Sequence, residues 1–297
     1  MAPAFIALDW GTTSFRAYKV AGDGRVLDTL SAPHGILSVT DGNFEAALES
    51  HIGAWDTNLP VMAAGMITSR QGWIELPYVA CPASAADLAR ALHHHTTASG
   101  RRIAFATGLS YRSPDGMPDV MRSEEVQVFG SLGQGANHFV TPGTHSKWIT
   151  TDGDRIVRYA TYVTGEVFAA LKAHTILGRL MKDGPDDEQA FAQGVRGALA
   201  DPAGFLHRIF SARSLGLFGE LAPESIASYL SGQVIGTEVA HAIRDNPRDA
   251  EYVVLASPGI GGRCVKAIGL AGLNVRYGDP EAIVKGLTII ARQAGLI

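Results

Sequence analysis

One pattern occurs twice in this chain: an apolar strand, a Gly-Thr loop and a returning strand. The first copy is Phe5 to Val20, FIALDWGTTSFRAYKV, and the second is Phe139 to Ile149, FVTPGTHSKWI. Aligned, Ala7-Leu8-Asp9-Trp10-Gly11-Thr12 falls on Phe139-Val140-Thr141-Pro142-Gly143-Thr144. Asp154-Arg155-Ile156 then echoes Gly24-Arg25-Val26, with two residues fewer between. Each copy reads strand, loop, strand, turn, strand. A unit repeated near the start of each half implies two related domains facing each other.

The loops carry a chemistry. Gly11 lets backbone N–H groups approach a ligand, and Thr12, Thr13 and Ser14 add hydroxyls. Successive N–H groups in such a turn suit phosphate oxygens. Asp9, at the strand end, can hold a hydrated Mg²⁺ that in turn holds phosphates. Its counterpart Thr141 is no carboxylate, whereas Lys147, opposite Arg16, keeps the positive charge. Two facing loops can grip a polyphosphate from both sides and exclude water on closure.

Composition narrows the partners. The formal net charge is −4 over 297 residues, with no block of like charge, which argues against nucleic acid or a membrane surface and favours small molecules. The two cysteines, Cys81 and Cys264, have no ligand spacing, so neither a disulfide framework nor structural zinc is expected. No basic-then-apolar signal segment and no bilayer-length apolar run is seen, so the cytoplasm is the expected home.

Between the copies, Phe44 to Trp55 has helical spacing, capped by Asp41 or Asn43, with His51 at its core boundary. Val61 to Ala64 is a buried-type strand running into Gly65 to Trp73, where Arg70 is a candidate anion holder or a surface arginine. Ser84 to Asp87 starts a helix with a near capping box; it is read as ending, exposed, at His93-His94-His95, a poor chelate. Arg101 to Ala106 is a strand, and Gly108 to Val120 reads as irregular. Ser123 is a candidate N-cap, with Glu124 and Glu125 in the first turn of the next helix. The loop Gly133-Gln134-Gly135-Ala136-Asn137 closes the first domain, giving 1–136 and 137–297, with the final helix at about 280–297 placed at the hinge. The second half is mainly helical from Gly165. Glu166 is a cap or a site carboxylate. Ser257-Pro258-Gly259-Ile260-Gly261-Gly262, after the strand Tyr252 to Ala256, suits a nucleotide base, ribose or phosphate.

Together these residues resemble the sugar kinase, heat-shock chaperone and actin superfamily. Its marks are a phosphate loop Asp-x-Gly-Thr-Thr (Asp9 to Thr13), a second loop (Pro142 to His145) and a Gly-rich adenosine segment (Ala256 to Gly262). The resemblance implies an α/β fold: two related actin-like, ribonuclease H-like domains with mixed sheets flanked by helices and an active site in the interdomain cleft. Within that superfamily, LDWGTTSFRAY, AAGMITSRQGW, VMRSEE, TPGTHSKW and the TGE at Thr164 to Glu166 resemble the 2-dehydro-3-deoxygalactonokinases. That family implies ATP-dependent phosphorylation of the terminal hydroxyl of 2-keto-3-deoxygalactonate, in galactonate breakdown.

Phosphoryl transfer needs positioning and charge neutralisation. Asp9 through Mg²⁺, Gly11, Thr12, Thr13, Gly143, Thr144 and His145 would hold ATP phosphates, with Ser257, Gly259 and Gly261 on the adenosine. Lys147 or Arg16 would offset developing charge. The expected proton acceptor is Glu124, with Glu125, Glu166 and His145 behind it. An arginine fork suits the sugar-acid carboxylate, and Arg122 and Arg70 are the candidates. Trp73 could wall the sugar or belong to the core. The expected partners are therefore ATP and a sugar acid, with a homodimer left open. The alternatives are a pantothenate or amino-sugar kinase on the same fold, or an actin-like assembly protein.

Overall fold

The first sheet is built outward from the opening hairpin. A computed structural model describes residues 2–133 and 135–297; Gln134, in the expected boundary loop, lies outside the described residues. Strands β1 (Pro3–Trp10), β2 (Phe15–Ala21) and β3 (Val26–Ala32) form an antiparallel meander. Helix α1 (Phe44–Ile52) follows, with the Asn43 side chain accepting from the Ala46 N–H at 3.2 Å. β4 (Val61–Ala64) then pairs parallel to β1. After β5 (Val79–Ala80) and β6 (Ala83–Ser84) comes α2 (Ala85–Arg90), whose Ser84–Asp87 capping box is complete. β7 (His93–Thr96) pairs antiparallel with β8 (Arg102–Phe105), which runs parallel to β4. The sheet order is β3-β2-β1-β4-β8-β7.

Two local readings are corrected here. The three histidines form an edge strand rather than a helix end, because α2 stops at Arg90 and His93 to Thr96 pair with β8. The segment read as irregular contains a hairpin of β9 (Leu109–Arg112) and β10 (Pro118–Met121), with β9 also pairing with β5. The Tyr159 hydroxyl donates to the carbonyls of Leu109 and Asp119, at 2.8 and 3.0 Å, tying that hairpin down from a distant segment. α3 (Glu124–Phe129) follows.

The second copy generates the same order. Strands β11 (His138–Thr141), β12 (Ser146–Asp152) and β13 (Arg155–Tyr162) are joined by β14 (Glu251–Val254) and β15 (Asn274–Tyr277), in the order β15-β14-β11-β12-β13, with the short β6 added at the β13 edge. In both sheets the third, second and first strands of the copy are followed by two strands parallel to the first. That duplicated order, with helices on the sheets, is the actin-like, ribonuclease H-like α/β fold that the resemblance implies. The helices of the second half are α4 (Thr164–His174), α5 (Glu188–Ala200), α6 (Phe205–Arg208), α7 (Ser211–Leu217), α8 (Ile226–Ala242), α9 (Pro258–Leu270) and α10 (Ala282–Gln293).

Chain contacts divide the molecule into two units. One is Met1–Gly135 with Thr150–Tyr159 and Asp279–Ile297; the other is Ala136–Ile149 with Ala160–Gly278. Two segments therefore fall outside the simple division after residue 136. α10 lies against α2, α3, β1 and β4, all of the first unit. Arg155 and Ile156 pair with Ser84 and Ala83. The first core gathers Ile6, Leu8, Trp10, Phe15, Leu48 and Phe105; the second gathers Val140, Trp148, Val239, Tyr252 and Ile268. No helix among the described residues is long and apolar enough to cross a membrane.

Candidate active site

In the first unit the Gly-Thr loop is braced from behind. Gly11 N–H closes on the Ser14 carbonyl at 2.9 Å, while the carbonyls of Gly11 and Thr12 accept from Ile36 and Leu37 at 3.0 and 3.3 Å. Gly35 allows this approach: a Cβ there would lie 2.2 Å from the Thr12 carbonyl. The N–H groups of Thr12 and Thr13 make no hydrogen bond to protein among the described residues. With carbonyls anchored and donors free, the loop is an anion nest.

The second loop uses the same device. The Thr144 carbonyl accepts from the N–H groups of Gly165 and Glu166 at 3.1 and 3.2 Å. A Cβ on Gly165 would meet the Gly143 carbonyl oxygen at 2.5 Å, so only glycine allows α4 to start there. The N–H groups of Gly143, Thr144 and His145 make no hydrogen bond to protein among the described residues. His145 Nε2 and Glu166 Oε2 lie 2.7 Å apart at the surface. Lys147 is buried on β12.

Asp9, at the end of β1, faces Arg16 across the hairpin, with Arg16 Nη1 3.9 Å from Asp9 Oδ2. Ser123 Oγ donates to Asp9 Oδ1 at 3.1 Å. Burial raises the Asp9 carboxyl above its ordinary value, against the Arg16 charge and the Ser123 hydrogen bond that lower it. Among the described residues no group of three His, Cys, Asp or Glu could hold a metal by itself. A single strand-end carboxylate beside a phosphate-suited nest fits Mg²⁺ arriving with nucleotide phosphates, the usual manner for that ion.

Ser123 corrects the capping expectation. It occupies the N-cap position of α3 with φ 94°, and its side chain makes no cap hydrogen bond. Arg122 N–H instead donates to Glu124 Oε2 at 2.9 Å and Ser123 N–H to Glu125 Oε1 at 3.0 Å. Glu125 is 1 % exposed, and its Oε2 has no partner. Burial, reinforced by the Glu124 charge, pushes its carboxyl up to about 8. Arg122, 8 % exposed, donates to Thr68 Oγ1 at 2.7 Å and to the Leu76 carbonyl at 3.2 Å, and lies over the Tyr78 ring. Its Nε has no partner. Arg70 is exposed. Trp73 packs with Phe44, His95 and Phe105, so its ring belongs to the core.

In the second unit Ser257 starts α9, and Gly261 N–H donates to its carbonyl at 2.7 Å. Gly259 lines a cavity of about 300 Å³ with Asp186, Glu188 and Lys266. Arg263 borders both this cavity and a second of about 210 Å³ that includes Gly143 and Glu238. Arg263 and Glu238 escape sequence reasoning. Their one signal is a charged residue inside an otherwise apolar helical pattern.

The family model described as 2-keto-3-deoxy-galactonokinase matches residues 9–290. The chain belongs to that family. Among 2-dehydro-3-deoxygalactonokinase relatives, the Rhizobium meliloti (strain 1021) protein named "Probable 2-dehydro-3-deoxygalactonokinase DgoK1" is 34 % identical over 300 residues, 97 % of this chain and 96 % of its own. The Escherichia coli K12 2-dehydro-3-deoxygalactonokinase is 33 % identical over 82 % of each chain. A solved structure of a candidate 2-dehydro-3-deoxygalactonokinase from Sinorhizobium meliloti superposes with a TM-score of 0.90 at 34 % identity, covering 97 % of this chain and 98 % of its own. Membership in a kinase family implies use of ATP.

Proposed function

We propose that this 2-keto-3-deoxy-galactonokinase family member transfers the γ-phosphoryl group of ATP to the 6-hydroxyl of 2-dehydro-3-deoxy-D-galactonate, in galactonate catabolism. The carrying observation is the pair of loops whose carbonyls are anchored and whose N–H groups are free. Such donors suit a polyphosphate, and phosphoryl transfer depends on holding it in place. Bound Mg²⁺ would supply neutralisation of phosphate charge, held by Asp9.

The chain's own residues then have distinct tasks. The nests at Thr12–Thr13 and Gly143–His145 orient the phosphates. Arg16 and Lys147 offset charge on the transferring group. Ser257, Gly259 and Gly261 line the adenosine side. Glu124 accepts the proton of the acceptor hydroxyl as the new O–P bond forms and the bond to ADP breaks. Arg122 takes the acceptor's carboxylate: it is buried, it brings a guanidinium, and one of its N–H groups is unused. Glu125, neutral near pH 7, can donate a hydrogen bond beside it. The solvated Arg70 plays at most a steering part, and Glu166 is tied to His145.

The test is ATP consumption against a panel of 2-keto-3-deoxy sugar acids, hexoses, amino sugars and pantothenate. ADP release should require an acidic 2-keto-3-deoxy acceptor. In Glu124→Gln, kcat should fall about a hundredfold or more while nucleotide affinity holds. Turnover of neutral hexoses, or a silent Glu124 variant, would contradict the reading.

A further inference from the structure

Three side chains around the second loop converge on one carboxylate. Ser146 Oγ donates to Glu238 Oε1 at 2.6 Å, Trp148 Nε1 donates to the same oxygen at 2.7 Å, and Thr164 Oγ1 donates to Oε2. Glu238, on α8, is 5 % exposed. It lines the cavity that Pro142, Gly143 and Gly165 border. The donors come from both flanks of the loop. Ser146 and Trp148 lie on β12, just after it, while Thr164 opens α4, whose next two N–H groups hold the Thr144 carbonyl.

A buried carboxylate is costly unless hydrogen bonds replace its water. Ser146, Trp148 and Thr164 are all neutral donors, so the group gains no ion pair from them. An apolar side chain would fill the same space on α8 without that cost. What its polar end does, and an apolar side chain could not, is join β12 to α4 at the place where the loop is anchored.

We propose that Glu238 is a positioning residue for the second Gly-Thr loop. By clamping Ser146 and Trp148 to Thr164, it fixes the register between β12 and α4 and so aims the N–H groups of Gly143, Thr144 and His145 at nucleotide phosphates. Its oxygens are turned to protein donors, so it acts through the loop and not on the phosphates. The inference rests on the proposed kinase reading for the nucleotide, but not on the identity of the acceptor.

The experiment measures MgATP affinity by calorimetry without acceptor, and KM for ATP and for acceptor separately. Glu238→Ala removes all three acceptor contacts. It should weaken MgATP binding about tenfold, raise KM for ATP equally, and leave KM for the acceptor within about twofold. Glu238→Gln keeps the shape: its carbonyl oxygen still accepts from Ser146 and Trp148, and its amide donates to the Thr164 oxygen, so it should recover most of the affinity. A folded Glu238→Ala variant with wild-type MgATP affinity overturns the proposal, as does an equal loss for ATP and acceptor. If Glu238→Ala does not fold, Ser146→Ala and Thr164→Val take its place, each expected to raise KM for ATP about threefold or more. Wild-type values in both overturn the proposal. A wild-type protein that binds no MgATP overturns the kinase reading itself.

Discussion

Ser123 donates its hydroxyl to Asp9 at 3.1 Å across 114 positions of sequence, and does so from a left-handed backbone with φ 94°. For a residue with a Cβ that conformation costs about 1–3 kcal/mol. It also brings the N–H groups of Arg122 and Ser123 onto Glu124 and Glu125. One strained residue therefore organises three carboxylates.

Ser123→Gly separates strain from function. Glycine accepts the backbone, so the variant should melt no lower than wild type, the strain relief offsetting the lost hydrogen bond. Its kcat should fall about tenfold, because Asp9 loses a donor. Ser123→Ala keeps the strain and should melt below Ser123→Gly. Paired thermal melts and steady-state rates decide it; wild-type kcat in the glycine variant would remove the hydroxyl from the mechanism.

Asp9→Asn should lower kcat about a hundredfold or more at saturating ATP and Mg²⁺ if, as proposed, the carboxylate is the metal's protein ligand. Binding of metal-free ATP should stay within a few-fold. Near-normal turnover would reject the metal assignment.

Arg122→Met should raise KM for the sugar acid about a hundredfold, with KM for ATP unchanged, by removing the guanidinium proposed to take its carboxylate. Arg122→Lys should recover little, as a point charge cannot replace the fork. An unchanged KM for the acid would place its carboxylate elsewhere.

Glu125 gives a pH signature. Its folded value near 8 lies above the ordinary 4.5, so its contribution to stability is full below about pH 4.5 and is lost as pH rises through 8. Unfolding free energy should therefore fall across that window, by an amount on the order of a few kcal/mol. Glu125→Gln keeps the contact with Ser123 N–H and should flatten the fall, ending more stable than wild type near pH 8. Denaturant titrations across the window check this; parallel curves for the two proteins would reject it.

What was legible in the sequence was local. The hairpin copies, the buried strand at Val61 to Ala64, the Asn43 cap and the Ser84–Asp87 box depend on neighbours in the chain. The β9–β10 hairpin was hidden because its strands are short and its anchor, Tyr159, lies far away. His93 to Thr96 become a strand only through pairing with β8. At Ser123 the local pattern pointed to a cap, but the distant Asp9 claims the hydroxyl. Glu238 showed locally only as a charge in a helical pattern, and its role was hidden because its three partners lie more than seventy residues away in sequence.

The duplicated sheets are not chemical equals. Thr141 stands in the second copy where Asp9 stands in the first, buried and with its hydroxyl unpartnered. An acid at position 141 would set a buried negative charge at the strand end leading into a loop whose N–H groups suit anions. In the proposed reading only the first loop brings a carboxylate suited to a cation, while the second brings N–H donors and the buried Lys147.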